Sequence, residues 1–241
     1  MTKVRDMKRL RQRLQWLAST PLHPQWLLNR SQPTKALERC RGTVLDIGSA
    51  NRWLASKLHP EAHYIALDYP ATATAMYGCR PDIFADAHHL PIADNSVDAV
   101  ACFEVMEHLS DPDRALSEIR RVLKPGGMAV LSMPFLYPIH DAPYDFQRWT
   151  GHGWERSARS NGLQITTLQA SNHALHASAV IANLALAVPA AEAKSPVRYL
   201  LMVALAPLIL LVNLAAALLA RLWPSWEGLA TSYQIHLYKP Q

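Results

Sequence analysis

The stretch that decides the fold is "TVLDIGSANRW", residues 43–53. Its first five residues form the largely apolar run of a buried strand, and the strand ends at a glycine turn. A strand followed by such a turn and a helix is typical of nucleotide-binding α/β folds. A dinucleotide fingerprint would need glycines at 48, 50 and 53, whereas this chain has Gly48, Ala50 and Trp53. The turn therefore favours a nucleotide ligand that lacks a pyrophosphate.

Working outward from this turn, strands and helices alternate along the chain, which is typical of a parallel sheet covered by helices. Apolar segments predict strands two to five at 62–68, 82–87, 96–105 and 128–134, and strands six and seven at 163–169 and 232–240. "DPDRALSEIRRVL" (111–123) predicts an amphipathic helix that the following "KPGG" ends. The expected fold class is α/β, with a seven-stranded sheet and helices on both faces.

Two carboxylates follow neighbouring strands. Asp68 ends the second strand in "IALDYP", 22 residues after Asp46 in the first. That spacing suits a carboxylate that accepts both hydroxyls of an adenosine ribose. Asp86 follows the third strand in the same way.

Four motifs stand in order along the chain: "LDIG", "DAHHLPIADNSVDAV", "EVMEHL" and "RVLKPGG". With these motifs at this spacing, residues 43–170 and the last strand resemble the class I S-adenosylmethionine-dependent methyltransferases, in particular their small-molecule branch. The resemblance implies a Rossmann-like methyltransferase sheet, S-adenosylmethionine (SAM) as the cofactor, and methyl transfer as the activity. It does not specify the methyl acceptor.

The resemblance also implies which residues bind the cofactor. Asp46 and the backbone at Gly48 and Ser49 would hold the methionine end of SAM. Asp68 would bind the ribose hydroxyls, with Tyr69 against the adenine ring.

The adenine end is assigned in the same way. Asp86 would accept a hydrogen bond from the adenine amino group, and Ala87 would donate its backbone N–H. Phe103 and Glu104 would close the floor of the site at the end of the fourth strand. Ala50 departs from the family, which commonly has a second glycine at this position, so the inference of cofactor binding is weaker there.

Acceptor chemistry is expected at "EVMEHL" and in the loop after strand five, "PFLYPIHDAPYDFQRWT" (134–150). His108 and His140 are the candidate catalytic bases, because imidazole titrates near neutral pH. Tyr144, Asp145 and Arg148 are candidates to orient the acceptor, and Arg148 suits a carboxylate or a phosphate. Two structural alternatives stay open, with His108 as a helix cap and Asp145 and Arg148 as an internal ion pair.

A metal site is the other interpretation of these residues. Glu104, Glu107, His108 and His140 are similar to the E-x-x-E-H sequence and distant histidine of small-RNA 2′-O-methyltransferases, which bind a divalent ion. The same E-x-x-E-H sequence occurs in metal-free relatives, so no metal ligand is assigned from the sequence.

Positive charge is concentrated at one end of the chain. Residues 1–13 hold six basic residues and one acidic residue, and the remainder holds 18 of each. Because a nucleic-acid enzyme would carry its positive charge on the main domain, no nucleic-acid partner is expected.

Residues 3–18 predict an amphipathic helix, which either docks on the domain or binds an anionic membrane surface. Three scattered cysteines indicate a reducing cytosol.

The chain between strands six and seven is unusually long and apolar. Two charge-free runs, 171–191 and 199–220, lie there, and the second is about 33 Å long as a helix, against an apolar bilayer core of about 30 Å. A single crossing would leave the seventh strand on the far side of the membrane. The expectation is therefore a returning hairpin or a shallow re-entrant insertion, and a soluble helical subdomain or dimer interface is the alternative.

The expected domains are 1–34 (basic helix and linker), 35–170 (SAM-binding core), 171–230 (hydrophobic insertion) and 231–241 (last strand). The expected function is methyl transfer at the cytosolic side of a membrane to a small-molecule, lipid or lipid-linked glycan acceptor. The alternatives are a soluble small-molecule methyltransferase with a helical dimerisation insertion, and a non-catalytic methyltransferase-like scaffold. The sequence leaves the oligomeric state open.

Overall fold

The structure is a computed structural model that describes residues 15–28, 35–74 and 80–241. The chain divides into two compact units. The sheet unit comprises residues 30–135, 139–171 and 232–241, and the helical unit comprises residues 1–29, 136–138 and 172–231. The amphipathic helix predicted at 3–18 lies mostly outside the described residues, and its end forms a 3₁₀ helix at Gln15–Ser19.

The sheet unit contains a seven-stranded mixed sheet, as predicted. Its strands are β1 (Thr43–Ile47), β2 (His63–Asp68), β3 (Ile83–Phe84), β4 (Val97–Phe103), β5 (Leu123–Pro134), β6 (Gln164–Ser171) and β7 (Ser232–Tyr238). They lie in the order β3-β2-β1-β4-β5-β7-β6, with β1 to β5 parallel and β7 antiparallel to both of its neighbours. This order places β1 third in the sheet, beside the central strand β4, so the C-terminal ends of both strands lie near the middle of that edge.

The described residues of the sheet unit include four short helices: α1 (Lys35–Arg39), α2 (Pro70–Thr72), α3 (Pro112–Val122) and α4 (Gly151–Ser160). Asp111 caps α3 by accepting a hydrogen bond from the N–H of Arg114 at 3.0 Å. Two 3₁₀ helices, Trp53–Lys57 and Met106–His108, follow β1 and β4 directly. Both therefore lie where the predicted site begins.

The core of the sheet unit consists of small and branched apolar side chains on the central strands. Strands β1 and β4 have almost continuous buried runs because parallel strands are covered on both faces. One buried cluster joins them to neighbouring elements through Leu37, Val44, Leu54, Ala99, Ala101 and Val130. The two central strands thus give the site a rigid support.

The helical unit contains the two apolar runs as helices α5 (Ala174–Glu192) and α6 (Val197–Leu219). The amide of Asn183 on α5 donates to the side-chain oxygen of Asn213 on α6 at 2.9 Å. The amide of Asn213 donates in turn to the carbonyls of Pro21 (2.7 Å) and His23 (2.9 Å). The N-terminal segment is therefore hydrogen-bonded to the helix pair. By length and composition, both helices could cross a membrane.

The insertion returns to the point where it leaves the sheet. Asn172, at its start, donates its side-chain amide to the hydroxyl of Thr231, at its end, at 2.9 Å. The neighbouring residues Ser171 and Ser232 are paired across β6 and β7. Strand β7 thus lies beside β5 and β6 despite the long connection.

Candidate active site

The turn after β1 has a backbone that constrains its residues. Gly48 has a φ of 74°, and a Cβ added to it would lie 2.3 Å from a methyl group of Val105. Only glycine fits this position without displacing Val105. Ala50 has a φ of 44°, in the left-handed region, where a Cβ costs about 1–2 kcal/mol. Ala50 therefore keeps the left-handed backbone conformation that the family's second glycine would allow, but with local strain.

The backbone N–H groups of this turn donate hydrogen bonds to the chain itself. Those of Gly48 and Ser49 both donate to the carbonyl of Leu67, at 2.9 and 3.1 Å. The Ser49 hydroxyl is buried and has no hydrogen-bond partner. The turn therefore offers a side-chain hydroxyl where the sequence predicts backbone N–H groups for the methionine end of SAM.

Asp46 is a buried carboxyl group at the C-terminal half of β1, with 3% of its surface exposed. The Tyr64 hydroxyl donates to it at 2.6 Å. Burial raises the pKa of Asp46 to about 6, and the hydrogen bond from Tyr64 opposes that rise only in part. The guanidinium of Arg52 lies 5.3 Å from the centre of the Tyr64 ring. A cationic ligand group beside Asp46 would therefore favour its ionised form.

Asp68, the last residue of β2, accepts hydrogen bonds from three residues around the site. It accepts hydrogen bonds from the N–H of Ala50 (2.9 Å), the N–H of Tyr69 (2.8 Å) and the hydroxyl of Thr72 (3.0 Å). A carboxylate has about four acceptor positions, so one remains for a ribose hydroxyl. Tyr69 is about half exposed, which leaves its ring accessible to a planar ligand.

Asp86 follows β3 and fixes the next loop. It accepts from the N–H of His88 at 2.9 Å and contacts Nδ1 of the same ring at 2.6 Å. Nε2 of His88 accepts from the N–H of Asp111 at 3.2 Å, which assigns the proton to Nδ1. Burial opposes ionisation of Asp86, but these bonds lower its pKa below the usual value. The neighbouring Ala87 is buried.

Phe103 is the last residue of β4 and Glu104 follows it, so the strand ends two residues earlier than predicted. The Phe103 ring packs against Trp53, with ring centres 5.7 Å apart. Glu104 has a φ of 54°, and the Ser132 hydroxyl donates to its carboxylate at 2.6 Å. Glu104 is therefore held by β5.

The loop after β5 is fixed on the 3₁₀ helix after β4. Phe146 donates its N–H to the carbonyl of Glu107 at 2.9 Å. The Gln147 amide donates to the carbonyls of Met106 (3.0 Å) and Leu109 (2.8 Å). These bonds bring two segments that are about 40 residues apart into one site.

Within this junction the structure brings His108 and His140 together. Their ring centres are 5.1 Å apart. Nε2 of each ring lies close to the carboxylate of Glu107, at 3.6 Å for His108 and 3.7 Å for His140. Of the four residues in the metal interpretation, Glu107, His108 and His140 are thus grouped, whereas Glu104 lies outside the group.

Asp145 and Arg148 form a bidentate ion pair, with nitrogen–oxygen distances of 2.5 and 2.7 Å. Asp145 also accepts from the N–H of His140 at 2.9 Å. The guanidinium, opposed in part by burial, lowers the pKa of Asp145 to about 2. This geometry favours the structural alternative for the pair, which positions His140. Tyr144 remains largely exposed and is accessible to an acceptor.

Comparison with known proteins finds similarity in the central part of the chain. Residues 45–131 match the family model of the methyltransferase domain. A curated relative from Mycolicibacterium smegmatis, described as a probable S-adenosylmethionine-dependent methyltransferase, is 38% identical over 104 residues, which cover 40% of each chain. The 2-phytyl-1,4-naphtoquinone methyltransferase of Thermosynechococcus vestitus is 29% identical over 144 residues, 56% of this chain and 62% of the relative. This chain thus spans about two fifths to three fifths of the length of these relatives.

Solved structures agree on the fold. A phosphoethanolamine N-methyltransferase of Haemonchus contortus, in complex with S-adenosylhomocysteine, has a TM-score of 0.50 and 17% identity, over 90% of this chain and 52% of that one. The [4+2]-cyclase SpnF also has a TM-score of 0.50, with 19% identity, over 82% of this chain and 74% of that one. The Rossmann-like methyltransferase fold is therefore confirmed, and the matches support SAM as the cofactor.

The structure adds residues to the candidate site that the sequence did not predict. Tyr64 and Thr72 bind the two strand-end carboxylates, and Gln147 fixes the loop after β5. None of the three lies in a recognisable motif. Tyr64 does carry a signal, because it points to the same side of β2 as the other even-numbered residues, Ala66 and Asp68.

Proposed function

We propose that this chain is a SAM-dependent methyltransferase that acts on a small-molecule or lipid-linked acceptor at a membrane surface. Methyl transfer from SAM is supported by two observations together. The chain matches the methyltransferase-domain model, and three carboxylates lie in or just after β1, β2 and β3. Because these strands are parallel, Asp46, Asp68 and Asp86 all belong to the C-terminal edge, where such folds bind nucleotides.

The proposed cofactor contacts follow from this geometry. Asp46 and the Ser49 hydroxyl would receive the charged methionine end, since Asp46 is easier to ionise beside an ammonium group. Asp68 would accept a ribose hydroxyl, and Tyr69 would cover the adenine. Asp86 would accept from the adenine amino group beside the N–H of Ala87, with Phe103 and Glu104 beneath.

Methyl transfer is a displacement in which the acceptor attacks the methyl carbon and the electrons of the carbon–sulfur bond pass to sulfur. The protein mainly aligns the two reactants and excludes water. A hydroxyl acceptor must also lose its proton, and His108 and His140 are the groups we propose for that step. Tyr144 would contact the acceptor, and the Asp145–Arg148 pair would hold the loop that carries His140.

Calorimetric titration with SAM tests the cofactor site. We expect Asp68→Ala to weaken SAM binding at least tenfold, because it removes the acceptor of three internal bonds as well as the ribose contact. Asp94→Ala, at an exposed carboxylate outside the site, is the matched control and should bind as the parent chain does. Failure of the parent chain to bind SAM, or equal binding by Asp68→Ala, would refute the enzyme proposal and favour a non-catalytic scaffold.

The membrane half of the proposal is supported by the exposed surface of α6. Leu200, Val203 and Leu211 are 65–73% exposed, although they belong to a run without charges. Only 17% of the most apolar 18-residue window of α6 is buried. A core helix of a soluble protein would bury most of such a surface, so a lipid environment suits α6 better.

The dimensions of the helix pair are consistent with this environment. At 1.5 Å per residue α5 is about 28 Å long and α6 about 34 Å, close to the apolar thickness of a bilayer. Trp223 and Trp226 follow α6 and are exposed, as is typical of the membrane interface. Because Asn172 and Thr231 are bonded, both ends of the insertion lie on one side of the membrane, which we assign to the cytosol.

An acceptor that is itself dissolved in the membrane suits such an enzyme. The quinone methyltransferase relative supports an isoprenoid-quinone-like or lipid-linked acceptor. Membrane extracts incubated with the protein and methyl-labelled SAM should yield a labelled, organic-extractable product. Label confined to water-soluble products would favour the soluble small-molecule alternative, and absence of label with every extract would refute methyl transfer.

Association with membranes is tested by flotation with phosphatidylglycerol-rich vesicles. The proposal predicts that the full chain floats with these vesicles and needs detergent in their absence. A full chain that stays monomeric and dissolved without detergent would refute the membrane proposal. A detergent-free dimer would favour the dimerisation alternative.

A further inference from the structure

We propose that Glu107, His108 and His140 bind a divalent transition-metal ion, with zinc as the first candidate. We call these three residues the two-histidine cluster. The site adds a metal to the proposed enzyme, although the binding itself does not depend on methyl transfer.

The first argument is the convergence of three ligand atoms. Nε2 of His108 lies 3.6 Å and Nε2 of His140 lies 3.7 Å from one oxygen of Glu107. One ligand atom from each of the three residues can be chosen so that all lie within 4.8 Å of one another. Ligands of a tetrahedral zinc ion, at about 2.0–2.2 Å from the metal, stand about 3.4 Å apart. Two of the three edges are thus close to that separation, and the third, at no more than 4.8 Å, exceeds it by at most about 1.4 Å.

The second argument is the burial of Glu107. Its side chain is fully buried, and neither carboxylate oxygen has a hydrogen-bond partner. Removing a carboxylate from water is costly unless a cation or several donors compensate. A bound metal ion would supply that compensation.

The third argument is the orientation of the imidazole rings. Nδ1 of His108 lies 2.7 Å from the carbonyl of Tyr144. A carbonyl only accepts, so Nδ1 carries the proton and Nε2 presents a lone pair towards Glu107. Metal-binding histidines are oriented in this way by a carbonyl or carboxylate on their other nitrogen.

His140 is held by the Asp145–Arg148 pair. Its Nδ1 lies 3.3 Å from Asp145 and 3.4 Å from a nitrogen of Arg148. A guanidinium nitrogen only donates, and its two hydrogens allow a bond to Nδ1 beside the bond to Asp145 at 2.7 Å, so these contacts fit either tautomer of His140. To bind a metal ion through Nε2, His140 needs its proton on Nδ1, where Asp145 is the acceptor. Asp145 therefore acts as a positioning residue for His140.

The ligand set selects the class of ion. Two imidazole nitrogens and one carboxylate oxygen suit zinc, iron, cobalt or nickel, whereas magnesium and calcium prefer oxygen ligands. Both histidine side chains are about one quarter exposed, which leaves coordination positions for water or substrate. Three protein ligands with an open position are typical of catalytic rather than structural zinc.

The consequence for catalysis rests on the proposed function. The ion would lower the pKa of a coordinated acceptor hydroxyl, whose proton would pass to water. The oxygen would then attack the methyl carbon of SAM, and the electrons of the carbon–sulfur bond would remain on sulfur in S-adenosylhomocysteine. With the ion bound, His108 and His140 would act as its ligands, so the role of proton acceptor proposed above applies to the metal-free site.

Metal binding can be measured without activity. The full chain in detergent micelles, stripped with a chelator, is titrated with Zn²⁺ by calorimetry and with Co²⁺ by visible absorption. We expect one ion per chain and at least tenfold weaker binding for Glu107→Gln, His108→Ala and His140→Ala. His152→Ala, at an exposed surface imidazole, should bind as the parent chain does. Asp145→Asn should weaken binding about 10–100-fold without removing a ligand.

Two results would contradict the metal site or the class of ion assigned to it. No saturable binding by the parent chain, or unchanged binding by all three ligand variants, overturns the proposal. Displacement of Zn²⁺ by an equal concentration of Mg²⁺ overturns the assigned class of ion. SAM titration of the same samples shows whether the variants are folded. It also distinguishes the metal-site proposal from the proposed methyltransferase function. Zinc binding without SAM binding supports the metal site alone, and SAM binding without zinc binding supports the proposed function alone.

Discussion

The sheet unit and the helical unit both bury polar side chains, but of different kinds. The sheet unit buries carboxylates at the C-terminal edge of its strands: Asp46, Asp68 and Glu107. In the described residues of the helical unit, the buried polar side chains are the neutral groups of Asn183, Asn213 and Thr231.

This difference reflects what each unit is adapted to bind. A buried carboxylate destabilises a fold unless a ligand or donor compensates it, so its presence indicates a site. A buried amide pair between apolar helices carries no charge and fixes how the helices pack. The comparison therefore predicts that changes in the helical unit alter packing or solubility, whereas changes at the sheet edge alter ligand binding.

The largest expected effect comes from removing the apolar helices. If they associate with a membrane as proposed, replacing residues 172–229 by a short turn should yield a chain that is soluble without detergent and still binds SAM. The geometry permits this because the ends of the insertion are bonded at 2.9 Å. Detergent-free size-exclusion chromatography and SAM calorimetry provide the measurement. A deletion variant that is soluble but does not bind SAM would show that the units are not separable.

Asn213→Leu breaks the amide chain inside the helical unit. It leaves the Asn183 amide and the carbonyls of Pro21 and His23 without this partner, so we expect a loss of about 2–4 kcal/mol in unfolding free energy. Thermal unfolding in micelles measures it, with Leu214→Ala at the exposed neighbouring position as the control. SAM affinity should stay within twofold, and a parallel loss of SAM binding would contradict the comparison.

Asp46→Asn tests the sheet edge. The pKa of Asp46 in the fold, about 6, lies above its ordinary value of 3.8, so the folded state keeps a proton that the unfolded state loses. Asp46 therefore makes the parent chain less stable as pH rises from about 4 to 6. At pH 7.5 the asparagine variant should be more stable by about 1–3 kcal/mol, and unfolding curves at pH 4.5 and 7.5 should show the gain only at the higher pH.

The same variant should bind SAM more weakly at pH 7.5, because it has no carboxylate for the ammonium group. In the parent chain SAM affinity should fall as pH is lowered through 6, and in Asp46→Asn this dependence should be smaller. Identical pH profiles of SAM affinity in the two chains would place the methionine end elsewhere.

Ala50→Gly has the smallest expected effect. Glycine removes the strain of the left-handed backbone but gives the unfolded chain more freedom, so we expect a net stabilisation of about 0.5–1 kcal/mol. Ala55→Gly, in the following right-handed 3₁₀ helix, is the control and should destabilise slightly. A destabilising Ala50→Gly, measured by denaturant unfolding, would show that the alanine side chain contributes packing that exceeds its strain.

Local patterns in the sequence predict the strands and the residues at their ends. The apolar run before Gly48 and the two carboxylates 22 residues apart predict which edge of the sheet binds a nucleotide. Strand periodicity and strand order are enough for this prediction. The apolar, charge-free composition of the insertion likewise predicts its two helices.

Contacts between distant segments could not be predicted in this way. The pairing of Asp145 with Arg148 was open in the sequence because both residue types also bind substrates. The position of His140 beside Glu107 depends on backbone hydrogen bonds from Phe146, which leave no pattern in the side chains. The bonds from Asn213 to the carbonyls of Pro21 and His23 join segments about 190 residues apart and have no local signal either.

The place of the insertion also sets the order of events during synthesis. Strand β6 pairs with β7 alone, and β7 follows only after the sixty residues 172–231 have been made. At about 5–20 residues per second, β6 stays without its partner for about 3–12 s. During that interval the two apolar helices are synthesised. The chain thus makes its apolar helices before the last strand of its sheet is available.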